Sequence, residues 1–281
     1  MEEIQGCKMK WSIYAIIIFH FSFNAINGQI TPSQFGVFHP PPPDGLVPER
    51  ASISAYQIKQ DYPASSDGFY WVSNININGG TPFKIYADMT TDGGGWTLIM
   101  KNPSYDVWGG DDCDLAKERA IAFNTDNPFT SNEDVMDESG VGYSIIGWAD
   151  YIKKSESGFQ YMIDAHQRGN YGGIWTANGN YSFVNTDSSQ TDVTIDQKFG
   201  NWNYVTNGDG IQKRMPWYRT ECLPIRGIIT TDDTVSSHWW GTLLTRASGW
   251  VTAPWIYDNG IAGQTTTQNE RKPSVIWYWV R

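Results

Sequence analysis

The chain has 281 residues, with 30 acidic and 20 basic side chains and a formal net charge of −10. Because nucleic-acid binding needs a clustered basic surface, this balance argues against a nucleic-acid partner. Aromatic residues make up 15% of the chain, which has 14 Trp and 28 Gly, too aromatic for a disordered chain and too rich in Gly and Trp for a helical bundle. The composition indicates a β-rich domain with many loops.

Residues 1–28 are predicted to be a secretory signal peptide. Lys8 and Lys10 precede an apolar run over residues 11–23, and small and polar residues follow as far as Gly28. The run is shorter than the roughly 20 residues that cross a bilayer as a helix, and no other apolar run is longer, so we expect no membrane span. An N-terminal membrane anchor is the alternative. We therefore expect a secreted, extracellular protein.

Residues 29–56 are predicted to form a proline-rich spacer, and residues 57–281 one domain. Four consecutive prolines at 40–43 favour stiff polyproline II, and the mildly helical pattern over 51–60 is too short for a coiled coil. Alternation and turn residues then predict short strands. These are Gly68–Val72, Phe83–Ala87, Trp96–Met100, Phe159–Ile163 and Val275–Val280, with a turn at Asn78–Gly80 and a helix over Leu115–Phe123.

Export has two consequences for covalent chemistry. Removal of the signal peptide leaves two cysteines, Cys113 and Cys222, and an oxidising compartment favours one disulfide between them. On the chain-entropy model this bridge would stabilise the fold by about 4–5 kcal/mol. Free or intermolecular thiols are the alternative, and neither cysteine has a partner at zinc-site spacing. The sequon at Asn180 predicts an N-glycan on a surface turn.

Residues 61–71 and 82–97 resemble the opening of fibrinogen-related domains. The second stretch reads Pro82-Phe-Lys-Ile-Tyr-Ala-Asp-Met-Thr-Thr-Asp-Gly-Gly-Gly-Trp-Thr97, and the family has Pro-Phe-x-Val-Tyr-Cys-Asp-Met followed by Gly-Gly-Trp-Thr. The resemblance implies an α+β fold with a twisted antiparallel sheet, short helices and long irregular loops. A family disulfide would fall on Tyr62 and Ala87. Both cysteines are absent together, as expected if that disulfide was lost as a unit.

Residues 229–242 resemble the calcium and ligand segment of the same family. The resemblance places candidate Ca²⁺ ligands at Asp232 and Asp233, and Ca²⁺ takes six to eight oxygen ligands. The family's alternate-residue spacing of aspartates is not kept, and adjacent side chains of a regular strand point to opposite faces. A single site would therefore need an irregular loop, and a solvated acidic turn is the alternative. The acidic residues of segment 111–114 are a second candidate, against a solubilising loop.

The resemblance also implies a pocket beside this loop that takes sugars or acetyl groups. Aromatic rings cover the apolar face of a sugar, and the sequence concentrates them after the acidic turn. Burial of most of these rings in the core is the alternative. The candidate ligand-binding residues are His238, Trp239, Trp240, Trp255 and Tyr257, with Trp250 near them.

Catalysis is not expected, because no nucleophile elbow, zinc-protease motif or phosphate loop occurs. We expect a non-catalytic, lectin-like protein that recognises carbohydrate or acetylated surface groups in innate recognition or adhesion. An extracellular matrix or signalling protein that binds a protein partner is the alternative. Shallow sugar sites need multivalency for useful avidity, which a homo-oligomer would supply, although no segment encodes oligomerisation.

Overall fold

The computed structural model describes residues 40–103, 135–136, 143–165, 168–169, 171–200, 211–219, 228–231, 243–245 and 275–281. The chain divides into two units, Met1–Pro41 and Pro42–Arg281. Residues of the predicted spacer from Pro42 onward therefore belong to the second unit. The predicted signal peptide and the predicted helix at 115–123 lie outside the described residues.

The described part of the chain contains short helices and many strands. The α-helices are α1 (Ala55–Asp61) and α2 (Ala149–Ile152), and short 3-10 helices lie at Pro48–Arg50, Asn78–Gly80, Thr91–Gly93 and Ile146–Trp148. The strands are β1 (Gly68–Val72), β2 (Phe83–Asp88), β3 (Trp96–Pro103), β4 (Tyr143–Ser144), β5 (Phe159–Ala165), β6 (Tyr171–Ala177), β7 (Val193–Phe199), β8 (Trp217–Arg219), β9 (Ile228–Thr230), β10 (Leu244–Thr245) and β11 (Val275–Val280). The five predicted strands and the turn at Asn78–Gly80 are confirmed. Among the described residues, no helix is long and apolar enough to cross a membrane.

The strands form two antiparallel sheets. In the large sheet the order is β1-β2-β3-β11-β5-β6-β7, with β4 pairing beside β3, and the small sheet has the order β10-β9-β8. An antiparallel sheet with a few short helices is an α+β architecture. The expected fold class is confirmed at this level.

Strand β11 is the centre of the large sheet. Tyr278 lies opposite Met100 of β3 and Ile163 of β5, so β11 joins two parts of the sheet that are distant in sequence. All six of its residues are buried, although successive side chains of a strand point to opposite faces. Both faces of the sheet are therefore covered at β11.

A β-bulge in β3 helps to place β4. Opposite β11 the register steps from Met100 to Leu98, which leaves Ile99 as the extra residue. The carbonyl of Ile99 accepts a hydrogen bond from the amide of Ile145 at 2.8 Å. The bulge thereby fixes the segment that follows β4 against the sheet.

The edge of the sheet at β1 is covered by the segment before α1. Ser52 forms a parallel bridge with Val72, and the amide of Trp71 donates to the carbonyl of Gly45 at 2.6 Å. Gly45 has φ +71°, and a Cβ there would lie 2.7 Å from Cδ1 of Ile58, so this position needs glycine. The Ser54 side chain caps α1 by accepting from the amide of Gln57.

Arg281 holds the glycine-rich turn between β2 and β3. Its Nη1 donates to the carbonyls of Asp92 and Gly94 at 2.5 and 3.0 Å, and its Nη2 lies 2.6 Å from the Asp92 carboxylate. The guanidinium also lies over the Trp96 ring, 4.1 Å from its centroid. The turn, the start of β3 and the residue after β11 are therefore tied together.

Candidate functional site

Most of the predicted site residues lie outside the described part of the chain. These are Asp232, Asp233, His238, Trp239, Trp240, Trp255 and Tyr257, together with Cys113 and Cys222 of the predicted disulfide. Segment 111–114 and Trp250 also lie outside it. Asn180 is described, and its side chain is exposed between β6 and β7. The described residues do, however, include both ends of the segment that carries Asp232 through Trp240.

Strands β9 and β10 bring the two ends of this segment together. Leu244 lies opposite Ile229, and the amide of Leu243 donates to the carbonyl of Ile229 at 2.8 Å. Thr231 and Leu243, the last described residues before and after the segment, are both buried. We call residues 232–242, which lie outside the described residues, the candidate loop, because in sequence they connect the paired antiparallel strands β9 and β10.

Arg214 contacts the base of the candidate loop. Arg214 is only 6% exposed, and its Nη1 donates a hydrogen bond to the carbonyl of Thr231 at 3.1 Å. Its Nε donates to the carbonyl of Ser188 at 2.7 Å. Residues 178–192, which we call the β6–β7 loop, are therefore linked through one guanidinium to the residue before Asp232.

The β6–β7 loop is itself fixed by polar contacts. The Asp150 carboxylate of α2 accepts from the Ser182 hydroxyl at 2.5 Å and from the amide of Phe183 at 3.1 Å. The side-chain oxygen of Gln190 accepts a hydrogen bond from the amide of Ser182. The backbone carbonyl of Gln190 accepts one from the amide of Met215. The loop that carries Asn180 is thus attached both to α2 and to the segment before β8.

A charged cluster that the sequence did not indicate lies on one face of the large sheet. Arg168 donates from Nη2 to Asp88 at 2.5 Å and from Nε to Asp164 at 2.6 Å. Both carboxylates are buried, and the guanidinium lies 4.8 Å from the centroid of the Trp279 ring. Asp88 lies in the stretch that resembles the family, but Arg168 and Asp164 carried no recognisable sequence signal.

The electrostatics of this cluster favour ionised groups. Burial opposes ionisation of Asp88, but hydrogen bonds from Thr91, Arg168 and Thr90 outweigh it and lower its pKa. Burial likewise opposes the charge of Arg168, and the neighbouring Asp164 and Asp88 raise its pKa. Two carboxylates bound to one guanidinium form an ion cluster on this face of the sheet.

A second feature is a strip of aromatic side chains on the same face of the sheet. On β1 and β2, Lys84 lies over the rings of Phe69 and Trp71, at 5.8 and 5.4 Å from their centroids. Phe69 packs edge-on against Tyr86 at 5.2 Å. All four side chains are half-buried, an arrangement that holds a cation against rings.

No group of three or more His, Cys, Asp or Glu side chains in the described residues is placed to hold a metal ion. The candidate Ca²⁺ ligands lie outside those residues. The sequence matches no known protein-family model.

Proposed function

We propose that the protein is a secreted, non-catalytic binding protein with a fibrinogen-like domain that recognises carbohydrate or acetylated surface groups. The candidate loop is the binding element, with Asp232 and Asp233 as ligands of Ca²⁺ and with His238, Trp239 and Trp240 beside the ligand. Trp255 and Tyr257 complete the aromatic wall. The alternative, a matrix or signalling protein, would use the same domain to bind a protein.

The observation that carries this proposal is the pairing of β9 with β10. It brings Thr231 and Leu243, both buried, close together, so the two ends of the segment that carries Asp232, Asp233 and the aromatic residues are neighbours. Connections between the strands of a rigid scaffold commonly carry binding residues. The two stretches that resemble the family form β1, β2 and the start of β3, which supports the fibrinogen-like assignment.

Secretion and N-glycosylation belong to the same proposal. Exposure of Asn180 supports a glycan there, because the acceptor side chain is accessible to solvent. The Cys113–Cys222 disulfide also remains a prediction. Alkylation of both thiols in the non-reduced secreted protein would contradict it.

The first test is the effect of millimolar Ca²⁺ on thermal unfolding. A ligand that binds only the folded state raises its stability by about 2.7 kcal/mol at a concentration of 100 Kd. We expect an upward shift of Tm in the wild type, and no shift in the double variant Asp232→Ala, Asp233→Ala. The double variant Glu49→Ala, Glu156→Ala removes the same charge from exposed positions and is expected to keep the shift.

The second test separates the two classes of partner. A glycan array, probed with and without EDTA, should show binding to a defined set of sugars or acetylated groups that the Asp232, Asp233 double variant loses. Absence of binding to any glycan, with Tm unaffected by Ca²⁺, would reject the lectin proposal and favour a protein partner.

A further inference from the structure

The turn between β1 and β2 carries an Asn-Gly pair at its exposed tip. Asn78 and Gly79 are both exposed and have φ +47° and +64°, left-handed conformations that these two residue types tolerate best. The turn is held on either side of the pair, because Ile77 is buried and the Ser73 hydroxyl donates to the carbonyl of Gly80 at 2.7 Å. A Cβ at Gly79 would meet nothing within 4 Å, so there is open space around the tip.

The two groups that can react with each other in this pair are not restrained. Across the described ranges, the Asn78 side chain forms no hydrogen bond and the Gly79 amide donates none. The backbone carbonyl of Asn78 accepts from the amide of Thr81 at 3.2 Å, which involves neither group. The carboxamide of Asn78 and the amide nitrogen of Gly79 can therefore approach each other without breaking a hydrogen bond to the described part of the chain.

Two other asparagines each lack one of these features. Asn178 is exposed and also precedes a glycine, but its Nδ2 donates to the Asp192 carboxylate at 3.0 Å and to the Thr194 hydroxyl at 3.1 Å. Asn76 is exposed in the same turn as Asn78, but it precedes an isoleucine, whose branched side chain crowds the amide nitrogen. Exposure, a following glycine and an unbonded side chain are combined at Asn78.

We propose that Asn78 is a site of spontaneous deamidation, in which the amide nitrogen of Gly79 closes a succinimide ring on the Asn78 side chain. Asparagine is a thermolabile residue. Hydroxide takes the proton from the Gly79 amide, and the nitrogen forms a bond to Cγ of Asn78. The bond from Cγ to Nδ2 breaks, and the leaving nitrogen takes a proton from water and departs as ammonia. Water then opens the ring at either carbonyl carbon, which gives aspartate or isoaspartate.

The two products differ in their effect on the turn. Isoaspartate directs the main chain through the former side chain, which adds one methylene group to the backbone beside the buried Ile77. Aspartate keeps the backbone as it was. Either product adds one negative charge, so the converted protein separates from the original on an anion-exchange column.

The experiment incubates the full-length protein at pH 7 and at pH 9. Peptide mapping by mass spectrometry measures the fractions of aspartate and isoaspartate at Asn76, Asn78 and Asn178. A synthetic peptide with the sequence of residues 73–82 is incubated beside the protein and gives the rate without the fold. Two variants are compared with the wild type: Asn78→Gln, and the double variant Asp192→Ala, Thr194→Val, which removes both acceptors of the Asn178 side chain.

We expect Asn78 to convert at least about tenfold faster than Asn178, because two hydrogen bonds must break before Asn178 can react. Conversion should be faster at pH 9, because the Gly79 amide must lose its proton. Asn78→Gln should remove most of the material that shifts on the anion-exchange column. The double variant should accelerate conversion at Asn178 and leave the rate at Asn78 unchanged.

The comparison among the asparagines decides the inference. If Asn78 stays intact while the synthetic peptide converts, the fold protects the turn and the inference is wrong. Conversion of Asn76 or Asn178 as fast as Asn78 in the wild type would also overturn it, because the features that distinguish Asn78 would then have no effect. These measurements involve neither Ca²⁺ nor a glycan, so their outcome leaves the proposed function where it stands.

Discussion

Asp88 shows how one residue of the charged cluster can make stability depend on pH. Its carboxylate accepts hydrogen bonds from the amides of Thr90 and Thr91 and from Arg168, and these lower its pKa against the opposing effect of burial. A carboxyl group with a lowered pKa in the folded state stabilises that state above its unfolded pKa, which is about 3.9 for Asp. This stabilisation is lost as the pH falls through the folded pKa.

We therefore expect Asp88→Asn to be less stable than the wild type at pH 7, by about 1–3 kcal/mol, because a buried charged hydrogen-bond network is broken. The difference should shrink as the pH falls below about 4, because the unfolded state takes up its proton there and the folded carboxylate takes up its own only at a lower pH. Urea unfolding of the wild type and the variant at pH 7, 5, 4 and 3 measures the loss of stability and its change with pH. Glu156→Gln, at a side chain that is 79% exposed, is the control. A difference in unfolding free energy that stays constant with pH would contradict the lowered pKa of Asp88.

The buried tyrosines make stability depend on pH at the alkaline end of the range. Burial raises the pKa of Tyr143, Tyr161 and Tyr278 well above the usual value, and the carboxylate of Asp150 adds to the shift at Tyr278. A raised phenol pKa stabilises the folded state below the unfolded value of about 10, and this stabilisation is lost as the pH rises through the folded pKa. Stability should therefore fall in alkaline solution.

Tyr278→Phe tests this expectation. The Tyr278 hydroxyl is buried and has no hydrogen-bond partner among the described residues, so its removal breaks no bond there. At pH 8 we expect a change in unfolding free energy within about 1 kcal/mol, and above pH 10 a smaller loss of stability than in the wild type. Tyr70→Phe is the comparison, because the Tyr70 hydroxyl donates to the Ser66 carbonyl at 2.7 Å. Equal alkaline sensitivity of the wild type and Tyr278→Phe would be the contrary result.

At the scale of elements, the turn between β2 and β3 contains two adjacent glycines with the same backbone conformation and different surroundings. Gly93 and Gly94 have φ +81° and +77°, a region that favours glycine. A Cβ at Gly94 would lie 2.1 Å from the carbonyl oxygen of Met89, whereas a Cβ at Gly93 would meet nothing within 4 Å. Of these two residues, only Gly94 combines backbone strain with a clash against backbone.

Gly94→Ala is expected to destabilise the protein by more than Gly93→Ala, which should cost about 1–2 kcal/mol from strain alone. Because the Met89 carbonyl belongs to the backbone, relief of the clash requires a shift of the turn to which Arg281 is bound. Thermal unfolding of the two variants measures the difference. Equal losses would mean that the turn adjusts freely and that the close approach at Gly94 has no energetic weight.

The elements that could be predicted are those with a strong local pattern. In Gly68–Val72 and Phe83–Asp88 buried residues largely alternate with half-buried ones, and Val275–Val280 is an unbroken run of apolar and aromatic residues. Strand β7 has mostly polar, exposed residues and a bulge at Asp196, so its pattern does not distinguish it from a loop. Strands β4 and β10 have two residues each, too few for any periodicity.

At the scale of the whole molecule, the large sheet depends on β11. Trp279 is fully buried, faces the Tyr86 ring and lies under Arg168. Strand β11 is also the neighbour of both β3 and β5, so the two parts of the sheet share one core through it. Loss of packing at β11 should therefore weaken both parts at once.

Trp279→Ala is expected to cost about 3–5 kcal/mol and to leave a single unfolding transition with a lower midpoint. Tyr151→Ala, at a residue that is 48% exposed, should change stability by about 0.5 kcal/mol or less. Circular dichroism and tryptophan fluorescence, followed in the same urea titration, should coincide. Two separated transitions would show that the two parts of the sheet unfold independently.

The arrangement of strands and the supports of the candidate loop could not be predicted. The neighbours of β11 are set by pairing between distant residues, such as Trp277 with Lys101 and with Asp164, and no local pattern encodes such pairs. Arg214 binds backbone carbonyls, which every residue has, so nothing in the sequence distinguishes its partners. The sequon at Asn180 could be recognised because its signal is three adjacent residues.

The central position of β11 also bears on the order in which the protein can form during synthesis. A ribosome makes β1, β2 and β3 first, then β5, β6 and β7, and only much later the strand that lies between β3 and β5. Until then each group has an unpaired edge facing its missing neighbour, and such edges invite pairing with other chains. Correct assembly of the sheet is therefore a late event, and newly made chains need protection from one another until β11 has emerged.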